Sequence, residues 1–100
     1  MLLHTVNKSP FERDALDSCL RHARDGSAVL LIEDGVYGAL ADSAFSPRVA
    51  AALKKVAVYA LRPDVEARGL QQRVLGSVSL IDYDDFVDLV VRHDAVQSWL

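Results

Sequence analysis

Cysteine is nearly absent from this chain: Cys19 is the only one in 100 residues. That excludes an intrachain disulfide and any CxxC pair for metal or redox chemistry, and it suits a reducing cytoplasm. A basic run is also missing; the formal net charge is -3 and the pI about 5.4. Direct binding of nucleic acid or of an anionic membrane is therefore not expected. No apolar segment approaches the roughly 18 residues of a membrane span, and no signal peptide is expected. Neither GxGxxG nor GxxxxGK[ST] occurs, so nucleotide binding has no motif behind it and no cofactor is expected. Internal repeats, linkers and low-complexity segments are lacking too.

What is present is apolar. Apolar residues make up 51% of the chain and charged residues 25%, which is globular composition. One hundred residues predict a single domain. A domain of that size holds one modest core, so the apolar fraction leaves a surplus that an oligomer would cover.

The stretch from Val29 to Gly38 organises the rest. Val29-Leu30-Leu31-Ile32 reads as a strand buried on both faces, and it stops abruptly at Glu33-Asp34-Gly35. Open α/β sheets place their functional loops at such strand ends. Four strands are predicted: Met1 to Val6, Ser27 to Ile32 (which contains this run), Val56 to Leu61 and Ser77 to Ile81. Helical patterns lie between them. Ser9-Pro10-Phe11-Glu12 reads as a capped start for a helix from Pro10 to about Arg24, closed by Asp25-Gly26. Its apolar arc would be Phe11, Ala15, Leu16, Cys19, Leu20 and Ala23, with Arg13, Asp17 and Arg21 paired on the outer side. Asp34 would cap a short helix from Gly35 to about Ala41. Pro47 to Lys55 reads as another helix, Pro63 opens one that Gly69 closes, and Asp82 caps a last one to about Arg92. His93 to Leu100 is a tail in which a fifth strand has room. The alternation predicts an α/β fold: a single-domain three-layer sandwich with a mostly parallel four- or five-stranded sheet, in the order 2-1-3-4.

Few residues offer chemistry. Cys19 is the candidate nucleophile, yet it falls in the middle of an apolar helical arc, more than two turns from the helix start that would acidify a thiol. It reads as a small buried hydrophobe, with a persulfide-carrying thiol as the alternative. Asp82, Asp84, Asp85 and Asp88 surround a helix start and read as capping acids rather than metal ligands. Glu33-Asp34 lacks the acid and the lysine at neighbouring strand ends that a phosphoacceptor site would want. His4 is expected near the carboxyl end of the first strand, as a hydrogen-bonded structural histidine rather than a general base. His22 and His93 read as solvated.

Several segments together resemble the TusB/DsrH family: Leu3-His4-Thr5, Ser9-Pro10, Glu33-Asp34-Gly35-Val36, Val58-Tyr59-Ala60-Leu61, Ala67-Arg68-Gly69-Leu70, Ile81-Asp82-Tyr83-x-Asp85-Phe86-Val87 and Trp99. The resemblance stays in register along essentially the whole chain. It implies a DsrE/TusD-like α/β subunit of a heterohexameric sulfur-relay complex. Such a complex holds two copies each of three related chains, TusB, TusC and TusD or DsrH, DsrF and DsrE. It passes persulfide sulfur to a small carrier, TusE or DsrC, for tRNA wobble-uridine 2-thiolation or for sulfur oxidation. In the active sister subunits a cysteine follows the third strand, upstream of a helix ending in Arg-Gly. Aligned on Arg68-Gly69, that position is Leu61 or Arg62 here. The resemblance thus implies a subunit that completes the assembly without carrying sulfur at the usual site. Cys19 is the departure that leaves a second sulfur site open, and it leans the resemblance toward the Dsr setting. Trp99 is expected either to anchor an interface or to fold back on its own domain.

Overall fold

A computed structural model describes residues 1–100. Five strands form one all-parallel sheet: β1 (Leu2–Val6), β2 (Ala28–Leu31), β3 (Ala57–Leu61), β4 (Ser79–Ile81) and β5 (Ala95–Trp99). The spatial order is β4-β3-β2-β1-β5, not the predicted 2-1-3-4. Strand β3 lies beside β2 rather than β1, and the tail fills the place next to β1. The four helices are α1 (Ala15–His22), α2 (Ser46–Ala52), α3 (Arg62–Ala67) and α4 (Tyr83–Arg92), and a 3-10 helix spans Glu33–Ala39.

Strand order explains the layers. From β1 to β4 each step moves the same way across the sheet, so right-handed crossovers put every connecting segment on one face. That face carries the main core, in which Leu16, Cys19 and Leu20 of α1 meet Val6, Val29 and Leu31 of the sheet. Val36 of the 3-10 helix, Val49 of α2 and Val65 of α3 complete it. The step from β4 to β5 runs back the other way, and its helix α4 lies on the opposite face. There Leu89 packs on Leu3, Ala28, Leu30 and Ile81. Helix α4 is thus the only helix on that face. No helix is long and apolar enough to cross a membrane.

Helix α1 begins five residues later than Ser9-Pro10 predicts. The Ser9 hydroxyl accepts from the Phe11 N–H at 3.2 Å, and the Ser9 carbonyl takes the Glu12 and Arg13 N–H groups at 3.1 and 3.0 Å. These bonds close a turn rather than a helix. Phe11 is 54% exposed, so the buried apolar arc starts only at Ala15, and the burial that stabilises a short helix starts there too. The helix ends at His22. Gly26 does take a left-handed φ, +86°, but in the turn beyond, where its N–H bonds the Lys55 carbonyl. Asp17 pairs with Arg21 and with Arg48 of α2, not with Arg13. Helix α2 is shorter than Pro47 to Lys55, because Lys54 and Lys55 fall in the turn that follows it.

Gly35 and Gly38 are close-approach residues. A Cβ on Gly35 would lie 2.1 Å from the Val6 carbonyl oxygen, and one on Gly38 2.4 Å from Leu16 Cδ2. Their lack of side chain lets the 3-10 helix lie against the end of β1 and against α1.

Candidate functional site at the carboxyl edge of the sheet

The connections after β3 and β4 leave toward opposite faces: Val65 of α3 is in the main core, Leu89 of α4 in the other. In open parallel sheets a crevice forms between the carboxyl ends of two such strands, and ligands bind there. Leu61 and Arg62 stand at that point. Leu61 is the last residue of β3 and is buried. Arg62 opens α3, and its Nε lies 3.4 Å from Asp82 Oδ1 at the end of β4. Its Nη2 also reaches the Leu80 carbonyl at 3.4 Å. A cation and its counterion bridge the crevice.

The neighbouring strand end is held in a similar way. Glu33 has a left-handed φ of +50°, which costs a non-glycine residue about 1–2 kcal/mol. Its N–H is anchored on the Asp64 carboxylate at 2.7 Å. Asp34 does not cap the 3-10 helix, which has no side-chain cap. Its carboxylate instead accepts from Arg68 Nε and Nη2 at 3.1 and 2.9 Å, and Arg68 Nη1 donates to the Asp64 carbonyl at 3.0 Å. Two side chains of the α3 segment therefore clamp the Glu33-Asp34 turn. Gly69 ends that segment with φ +65°, and its N–H and that of Leu70 bond the Glu66 and Val65 carbonyls. At the start of α4 the Asp85 carboxylate accepts from the Asp82 N–H at 3.1 Å, and Asp82 takes Arg62. These two acids serve helix entry and the crevice ion pair.

Cys19 is nowhere near this edge. It sits at the centre of the α1 face, fully buried in the main core. Burial pushes its thiol up to about 12, so the thiolate that sulfur chemistry needs is disfavoured at neutral pH.

His4 is in the middle of β1, not near its carboxyl end, and lies with a cleft of about 360 Å³ between Met1, His22, Arg24 and Ser27 at the opposite, amino edge. It is buried, and its Nδ1 accepts from the Trp99 indole N–H at 3.0 Å. An indole can only donate, so neutral His4 carries its proton on Nε2, which has no partner. Burial lowers its pKa below the ordinary histidine value. His22 is exposed but not merely solvated: its ring stacks on Trp99 at 6.1 Å between centroids, and its Nδ1 lies 2.7 Å from the Ser18 carbonyl. His93 is half-buried with Nδ1 2.6 Å from the Leu89 carbonyl. Trp99 therefore folds back on its own chain. The cluster of His4, His22 and Trp99 escapes sequence reasoning because its members are far apart in the chain and meet only once β5 lies beside β1.

The class this fold and edge define is a small all-parallel α/β protein whose sheet crevice is closed by an arginine–carboxylate pair. Comparison with known proteins gives the family. The family model described as "DsrH like protein" matches residues 8–96, and the chain belongs to that family. It is 43% identical over 98 residues to "Protein TusB" of Pectobacterium parmentieri, covering 98% of this chain and 100% of that one. It is 37% identical, with the same coverage, to "Protein TusB" of Escherichia coli strain K12 / DH10B. Among solved structures the ychN protein from E. coli superposes with TM-score 0.79 at 15% identity, covering 97% of each chain, a likeness of fold. Protein Tm0979 from Thermotoga maritima superposes with TM-score 0.66 at 28% identity, covering 91% of this chain and 92% of its own.

Proposed function

We propose that this chain is a non-catalytic subunit of a heterohexameric sulfurtransferase complex, built with TusC/DsrF-like and TusD/DsrE-like sister subunits. The complex relays persulfide sulfur to a TusE/DsrC-type carrier in the cytoplasm. The observation that carries this reading is at the β3 carboxyl end. Where an active sister subunit places its cysteine, this chain has the buried Leu61 and then Arg62, engaged with Asp82 and the Leu80 carbonyl. Family membership supports the sulfur-relay setting. The relatives named TusB favour tRNA wobble-uridine 2-thiolation over sulfur oxidation, against the lean that Cys19 alone suggests.

The rival reading puts a persulfide on Cys19. It requires the core to open around a side chain with no exposure and a thiol pushed up to about 12. Co-expression with both sister subunits followed by size exclusion tests the assembly. A stoichiometric hetero-oligomer is expected. A monodisperse monomer that ignores both sister subunits at micromolar concentration would contradict it.

A further inference from the structure

Helix α4 is more apolar than its own sheet requires. At about 100° per residue, Leu89, Phe86, Val90, Tyr83, Val87 and Val91 fill an arc of about 200°. Only Leu89 is buried, and Phe86 is partly so. Tyr83, Val87, Val90 and Val91 face outward; Val87 is 61% exposed and Val91 77%. The sheet face under α4 has an exposed apolar residue of its own. Val96 of β5 pairs in register with Leu3, so its side chain lies on the face that α4 covers, yet it is exposed. The single helix on this face does not reach the edge strand. Contiguous exposed apolar surface of this kind marks a protein contact.

The charges beside the strip say what fits it. Asp84 and Asp88 lie along one border of the outward arc, and residues 82–94 hold five of the chain's fourteen acids and one of its eleven bases. Asp82 and Asp94 are engaged within the chain, by Arg62 and by the amino terminus. Asp84 and Asp88 have no ion-pair partner. A second copy of this chain would bring the same acids to the same seam, which like-charge repulsion disfavours.

We propose that the outer strip of α4, together with Val96 on the same sheet face, docks a sister subunit whose facing surface is apolar and edged with arginine or lysine beside Asp84 and Asp88. The proposal rests on the heteromeric reading above and assigns the face through which it operates. The apolar centre supplies the affinity, and the acids set the choice of partner.

The test is co-expression of the full chain with both sister subunits, measuring the affinity of the purified partners. Val87→Asp/Val91→Asp should bind about tenfold more weakly or worse, with an unchanged melting temperature because both residues are exposed. Asp84→Lys/Asp88→Lys, which leaves the apolar strip intact, should also weaken binding, and should weaken its dependence on salt. Phe11→Ser removes an exposed aromatic elsewhere and should change nothing. Wild-type affinity in both double variants would overturn the proposal and leave the heteromeric reading standing. Wild-type chain that binds neither sister subunit would overturn both. Self-association abolished by Val87→Asp/Val91→Asp would put a second copy on the strip and overturn the choice of partner.

Discussion

The indole N–H of Trp99 donates to Nδ1 of His4 across 3.0 Å, tying the last strand to the first. The bond requires a neutral imidazole, since a protonated Nδ1 would confront the indole N–H with a second donor. The folded-state pKa of His4 is lowered, so the unfolded chain binds the proton more readily. This contribution to stability is complete above the unfolded value near 6.5 and is lost as pH falls from there through the folded value. Trp99 fluorescence should therefore report loosening of β5 on mild acidification. Trp99→Phe should cost about 1–3 kcal/mol by leaving the buried Nδ1 unpaired, and should flatten the pH dependence of the melting temperature. A pH-independent signal in wild type would show that His4 does not control the strand.

Cys19→Ala should lower stability by about 1 kcal/mol through lost packing. Alkylation of the native protein should leave Cys19 unmodified until denaturant is added, because the side chain is fully buried. Rapid modification of the native chain would mean that the core opens around the thiol and would favour the sulfur-carrying alternative.

Gly35→Ala tests how the 3-10 helix is seated. The added methyl would overlap the Val6 carbonyl oxygen, and backbone on both sides has no flexible end to move. A loss of about 3 kcal/mol or more is expected by thermal melting. A neutral outcome would place the 3-10 helix farther from β1.

Arg68→Ala should release Asp34 and loosen the clamp on the Glu33 turn. The pair is partly exposed, so the stability change should be small, about 1 kcal/mol or less. Hydrogen exchange at Glu33 and Gly35 should rise all the same. Unchanged exchange would show that the Asp64 contact to the Glu33 N–H holds the turn alone.

The parts of this fold legible in the sequence are those set by local pattern. The runs Ala28 to Leu31 and Ala57 to Leu61 announce buried strands, and the amphipathic spacing around Leu16, Cys19 and Leu20 announces a helix. Strand β5 is harder to see: Ala95-Val96-Gln97-Ser98-Trp99 has no apolar run, and it is a strand because it pairs with β1. Its presence beside β1 also decides the strand order, a property of crossovers rather than of any one segment. Ser9-Pro10-Phe11-Glu12 carries every local mark of a helix start, yet it closes a turn, since burial begins only at Ala15. At the candidate site, the turn at Glu33-Asp34 was visible, but Arg68 and Asp64, which clamp it, come from about thirty residues away. Long-range ionic partners leave no periodic trace.

The central claim is that this chain builds the relay without holding sulfur. The most direct test is sulfur transfer to the carrier protein by a complex reconstituted with Cys19→Ala in this subunit, alongside mass spectrometry of each wild-type subunit after loading with a persulfide donor. Transfer at the wild-type rate, with no persulfide on this chain, is the expected result. Loss of transfer with the assembly intact, or a persulfide found on Cys19, would contradict the account.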